Sequence, residues 1–128
     1  MEKGKLKIFF GYSAGVGKTY AMLKSAQEAK AGGEDVIIGY LEPHDRPDTL
    51  KMAEGLPALP LKNIDYKGIT LKEFDVDAAL LRRPQIILVD ELAHTNALGS
   101  KNQKRYLDVE ELINNGIDVW TTVNVQHI

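Results

Sequence analysis

One stretch constrains this chain more than any other: Gly11-Tyr-Ser-Ala-Gly-Val-Gly-Lys-Thr19 joins an apolar run to a segment of helical periodicity. Lys5–Tyr12 (KLKIFFGY) has the composition of a strand, and Gly17–Lys30 places Met22, Ala26 and Ala29 at helical spacing. A strand that turns through glycines straight into a helix is the opening unit of an α/β sheet.

The remaining sequence keeps the same alternation. Gly32-Gly33 ends the first helix, because glycine accepts the left-handed backbone found there. Asp35–Glu42 reads as a second strand. Residues 43–69 hold every proline except Pro84 and read as irregular, with a short helix over Pro47–Glu54 and a short strand over Leu61–Tyr66. Asp75–Arg82 is a short helix, and Gln85–Glu91 is a buried strand ending in two acids. Gln103–Asn114 is an amphipathic helix with Tyr106, Val109, Leu112 and Ile113 on one side and Gly116 beyond its end. Asp118–Val125 is a further strand. This pattern predicts a mainly parallel sheet flanked by helices, a P-loop NTPase-like three-layer sandwich forming one domain over 1–128. Such a sheet usually closes with another helix and strand, so the sequence reads as a piece of a longer protein.

Composition narrows the function classes. With 128 residues and 44% hydrophobic content the chain suits a single core. Sixteen basic residues against 18 acidic ones leave a net charge of −2, which gives no pointer to nucleic acid. The absence of cysteine excludes disulfides, thiol nucleophiles and cysteine metal sites. The polar, lysine-rich start is not a signal peptide, and no run approaches the roughly 20 apolar residues of a membrane helix. The domain therefore reads as soluble, with any membrane tether lying elsewhere.

The glycine run carries the chemistry. Glycines let successive backbone N–H groups converge, and the helix start adds partial positive charge, together forming an anion cradle. The candidate phosphate-binding residues are Gly11, Ala14, Gly15, Val16, Gly17, Lys18, Thr19 and Tyr20. Lys18 can reach β- and γ-phosphate oxygens, and the Thr19 hydroxyl can ligate Mg²⁺. The pattern G-x-x-x-x-G-K-[ST] asks for glycine at Tyr12, whereas the nearest one, Gly11, comes one residue early.

Ile86-Ile87-Leu88-Val89-Asp90-Glu91 reads as a strand presenting a Walker-B carboxylate. Asp90 would hold Mg²⁺, and Glu91 would serve as catalytic base or orient a nucleophile. His94, Thr95 and Asn96 open a polar stretch that is either a γ-phosphate sensor or a connecting loop. Arg46 in Glu42-Pro-His-Asp-Arg46 could pair with phosphate or belong to a plain turn. Thr122, Asn124 and Gln126 share one face of the last strand, where a polar side chain could hold an attacking water. Lys104 and Arg105 open a helix and read as solvated. The three histidines are too scattered for zinc. No G-x-S-x-G is present, and the guanine-reading N-K-x-D is absent, which favours ATP.

Taken together, G-Y-S-A-G-V-G-K-T-Y, E-P-H-D-R, V-D-E-L-A-H-T-N, K-R-Y-x-D-V-E-E-L and G-I-D-V-W-T-T-V-N-V-Q-H resemble the N-terminal cytoplasmic domain of the Kdp potassium-transport sensor histidine kinases, the KdpD family. The likeness runs from Gly4 to Ile128, and the early glycine matches that family's form of the loop. The resemblance implies a cytoplasmic domain of a bacterial inner-membrane sensor of potassium limitation and osmotic stress. It implies ATP and Mg²⁺ as ligands. Its implied partners are the other domains of the full-length kinase and, through them, a response regulator. It also implies a role in tuning kinase against phosphatase activity. The histidine kinase core is not in this sequence, so autokinase activity does not carry over. Two alternatives stay open: a working ATPase or phosphotransferase, and a protein-docking module with little nucleotide affinity.

Overall fold

The computed structural model describes residues 2–11, 17–43 and 46–124. Its elements, in order, are β1 (Leu6–Gly11), α1 (Lys18–Ala31), β2 (Val36–Tyr40), α2 (Pro47–Lys51), β3 (Lys62–Tyr66), β4 (Ile69–Glu73), α3 (Val76–Arg82), β5 (Ile86–Val89), α4 (Arg105–Asn114) and β6 (Asp118–Asn124). Four strands form a parallel sheet in the order β1-β6-β5-β2, and β3 and β4 pair antiparallel as a separate hairpin.

Side chains alternate across the central strands, and this alternation builds the layers. Val36, Ile38, Ile86 and Leu88 pack with Met22, Leu23 and Ala26 of α1. Ile37, Ile87, Val89 and Val119 pack on the opposite face with Val76 and Ala79 of α3 and Val109 and Leu112 of α4. The expected α/β architecture, with a parallel sheet flanked by helices, is therefore what the chain adopts. Strands buried on both faces need near-continuous apolar runs, and β5 (Ile-Ile-Leu-Val) is buried throughout.

The hairpin departs from the sequence reading, which placed a strand over Leu61–Tyr66 but none after it. Lys67 and Gly68 both have positive φ, 49° and 80°. Two such residues make the tight turn whose twist matches an antiparallel pair, so Ile69–Glu73 folds back on β3. The other departures are at element ends. Asp90 and Glu91 lie just past β5, and α2 stops at Lys51. Among the described residues no helix is long and apolar enough to cross a membrane.

Candidate functional site

Parallel strands deliver their C-terminal ends to one edge of the sheet, where α1 also begins. Gly17 caps α1 in the left-handed conformation (φ 74°), and no acidic residue occupies the first turn. The positive end of the helix therefore has no carboxylate of its own. Lys18 and Thr19 follow and are 3% and 2% exposed.

Asp90 is fully buried opposite them. Thr19 Oγ1 donates toward its two carboxylate oxygens at 3.3 and 3.4 Å. Thr122 Oγ1 donates to Oδ1 at 2.5 Å and the Glu42 N–H to Oδ2 at 3.0 Å. The neighbouring Glu91 accepts from Lys18 Nζ at 3.2 Å. Its backbone is left-handed (φ 65°), held by its N–H on Thr122 Oγ1 at 2.9 Å. Gly11 closes the group from β1. A β-carbon there would stand 3.1 Å from Lys18 Cδ and 3.3 Å from Cβ and Cγ, so the missing side chain makes room for the lysine stem.

A second polar layer lies behind. Arg105, fully buried, donates from Nη1 to the Asp90 carbonyl at 3.0 Å and from Nη2 to Glu73 Oε1 at 2.9 Å, and it stacks 4.1 Å over Tyr40. Burial raises the Tyr40 hydroxyl above its ordinary range. Glu73, at the end of β4, also bonds His94 Nε2 at 3.0 Å and accepts the Ala97 N–H at 2.6 Å. Arg105 is thus not solvated as its sequence position suggested. A guanidinium can meet several acceptors in one plane, which lets a helix-opening arginine turn inward.

The expected site residues fall into three groups. Gly11, Gly17, Lys18, Thr19, Asp90 and Glu91 meet at the sheet edge, with Tyr20 half-exposed in the first turn of α1. Asn124 pairs in register with Gly11, and its Oδ1 is buried without a hydrogen-bond partner among the described residues. Ala14, Gly15 and Val16 lie outside the described residues. The others are held elsewhere. Arg46 is exposed ahead of α2. His94 bonds Glu73, and Thr95 Oγ1 accepts from Lys104 Nζ at 2.7 Å. Asn96 Nδ2 donates to the Asn102 carbonyl and to Asp108 Oδ2, both at 2.9 Å. Glu73 belongs to no motif in the sequence, and only the unread hairpin could have revealed it.

The arrangement offers a hydroxyl, a carboxylate and an ammonium at the open end of a helix. Among the described residues no group of three or more His, Asp or Glu side chains could hold a metal ion alone. A hydroxyl and one carboxylate instead suit Mg²⁺, which keeps several waters and shares its coordination with phosphate oxygens.

Comparison with known proteins supplies a relationship. The KdpD family model, described as an osmosensitive K⁺ channel His kinase sensor domain, matches residues 2–128. Sensor protein KdpD of Clostridium acetobutylicum is 67% identical over 127 residues, 99% of this chain and 14% of that protein. Sensor protein KdpD of Escherichia coli is 60% identical with the same coverage. A putative sensor protein KdpD of Synechocystis is 51% identical over 99% of this chain and 34% of that protein. The chain thus spans about one seventh of the first two relatives.

Proposed function

This chain belongs to the KdpD family of sensor domains, and we propose that it binds ATP with Mg²⁺ as a regulatory domain of a potassium- and osmosensing histidine kinase. The observation carrying this reading is the buried approach of Thr19 Oγ1 to the Asp90 carboxylate, 3.3 Å away at the start of α1. Elements far apart in sequence have no packing reason to bring a hydroxyl, a carboxylate and the Lys18 ammonium together at one helix start. A metal–triphosphate ligand supplies that reason.

In this reading Thr19 and Asp90 hold Mg²⁺, which would neutralise β- and γ-phosphate charge, and Lys18 binds the phosphate oxygens. The amides of Gly17, Lys18 and Thr19 at the start of α1 would add their partial positive charge. Arg105 fixes Asp90 through its carbonyl and, through Glu73, ties that strand end to His94 and Ala97. A change at the nucleotide edge therefore has a short path into the segment ahead of α4. Occupancy can bias signalling only by favouring one arrangement of that segment over another. The rest of a kinase as long as the relatives, and its response regulator, would receive the bias. The parent would be a bacterial inner-membrane protein with this domain on the cytoplasmic side. The missing N-K-x-D motif favours adenine over guanine as the base.

A second reading, ATP hydrolysis or phosphoryl transfer, is favoured by one contact. Glu91 stands beside Asp90 and bonds Lys18 at 3.2 Å, so a carboxylate able to act as a base lies next to the lysine that would bind the γ-phosphate.

Titration calorimetry with ATP and Mg²⁺ tests both. Binding that disappears in Thr19→Ala when Mg²⁺ is present, with no phosphate release above background, supports regulation. Phosphate release abolished by Glu91→Gln supports the enzyme. No heat with the unaltered chain overturns the nucleotide reading.

A further inference from the structure

An open groove of about 580 Å³ runs between α1 and the stretch formed by α2 and the residues after it, lined by Tyr20, Gln27, Asp48, Lys51, Met52 and Glu54. Sites for small molecules have this size. Gln27 Nε2 donates to the Met52 and Glu54 carbonyls at 2.8 and 2.9 Å, which pins the chain after α2 to α1. Met52 also packs against the core that contains Met22 and Leu23. Tyr20, two turns nearer the start of α1 than Gln27, stays 39% exposed, so its ring is available to a ligand.

Position ties the groove to the phosphate edge. Tyr20 follows Lys18 and Thr19 directly in the first turn of α1. Helical side chains lean toward the N-terminal end, so the Tyr20 ring leans toward that edge. The opposite wall also starts there. The chain leaving β2 gives the Glu42 N–H to Asp90 Oδ2 at 3.0 Å, and six residues later it supplies Asp48 at the start of α2. A ligand whose charged tail lies on Lys18 and Thr19 thus meets an aromatic ring, a thioether and a carboxylate in the adjoining groove.

We propose that this groove holds the adenine ring of the bound nucleotide, with Tyr20 and Met52 against the ring and Asp48 accepting from its exocyclic amino group. The inference rests on the nucleotide reading above and assigns the base contacts which that reading leaves open. A purine presents a flat π-face, which stacks on tyrosine. The methionine thioether is polarisable and adapts to a ring laid on it. An ionised carboxylate only accepts hydrogen bonds. Asp48 therefore suits the amino group of adenine and opposes the carbonyl oxygen that hypoxanthine carries at the same ring position. Lys51, one turn further along, supplies a donor for a ring nitrogen. Tyr20 is then a base contact rather than a phosphate ligand.

Mg²⁺ complexes of ATP, inosine triphosphate and tripolyphosphate, which has no base, are titrated by calorimetry into the 128-residue chain and into Tyr20→Ala, Tyr20→Phe and Asp48→Ala. Circular dichroism verifies that each variant is folded. Tyr20→Ala should weaken ATP by at least ~5-fold and leave tripolyphosphate unchanged. Tyr20→Phe keeps the ring and should keep the ATP affinity. Asp48→Ala should shrink the preference for ATP over inosine triphosphate. An unchanged ATP affinity in Tyr20→Ala, or an equal loss for ATP and tripolyphosphate, overturns the base site and leaves the nucleotide reading standing. An unchanged preference in Asp48→Ala overturns the amino-group contact. No heat with either ATP or tripolyphosphate in the unaltered chain overturns both the base site and the nucleotide reading.

Discussion

Lys18 Nζ stands 3.2 Å from Glu91 Oε1, joining residues 73 positions apart. The lysine side chain is 2% exposed and the glutamate 28%. Glu91 keeps this contact from a backbone of φ 65°, a conformation that costs a β-carbon-bearing residue about 1–3 kcal/mol. The glutamate therefore occupies the ammonium that a phosphate would need. Glu91→Gln should tighten ATP·Mg²⁺ binding by about 3- to 10-fold, the scale of a part-exposed ion pair. Lys18→Ala should weaken it by at least ~10-fold, through loss of charge-assisted hydrogen bonds. Calorimetry on both variants checks the sign, and a weaker Glu91→Gln complex would mean the carboxylate assists binding.

Asp90 gathers donors from three places: Thr19, Thr122 and the Glu42 N–H. Removing the carboxylate leaves these donors facing each other in a buried space. Asp90→Ala should cost about 2–4 kcal/mol of stability, from donors left unmatched. Asp90→Asn should cost less but remove the Mg²⁺ dependence of nucleotide binding. Thermal unfolding with and without Mg²⁺·ATP separates the two effects. An Asn variant that still requires Mg²⁺ would remove Asp90 from the metal's ligands.

The sheet was legible because β5 and β2 are apolar enough to announce burial, and because Gly17-Lys18-Thr19 marks the strand-to-helix turn. Asp90 and Glu91 were legible as two acids ending such a run. The hairpin was not, because β4 (Ile-Thr-Leu-Lys-Glu) buries only its last residue and lacks a continuous apolar signal. With β4 unread, Glu73 had no place in the site, and Arg105 had no visible acceptor to draw it inward. His94, Thr95 and Asn96 were read by their nearness to the acids in sequence. Their actual partners, Glu73, Lys104 and Asp108, come from other elements.

Arg105 and Glu73 form an ion pair at 2.9 Å with side chains 0% and 7% exposed. Breaking one side of such a pair strands a buried charge, so Arg105→Ala or Glu73→Ala should each cost about 3–5 kcal/mol. Arg105→Lys should remain destabilising, because an ammonium cannot bridge the Asp90 carbonyl and Glu73 while stacking on Tyr40. Glu73→Leu combined with Arg105→Met should cost less than the sum of the single changes. Denaturant unfolding of the full cycle measures the coupling, and strict additivity would show that the two residues act separately.

Acid should act on this fold through groups of opposite sign. Burial raises Asp108 above its ordinary value of 3.8, against hydrogen bonds from Asn102 and Asn96. A raised carboxyl binds its proton more readily in the folded state, so ionising it costs stability as pH rises through that window. Glu111 is the reverse: Asn102, then Lys101, hold it below 4.5. Its contribution is complete above the unfolded value and is lost as pH falls through the folded one. Asp35 behaves like Glu111, held below 3.8 by its bond with Arg82. Glu111→Gln should therefore lower Tm at neutral pH by a small amount that shrinks steadily once the pH drops below about 4.5. Thermal melts of the variant and the unaltered chain across that range test the sign. A difference constant with pH would show that Glu111 acts by packing rather than by charge.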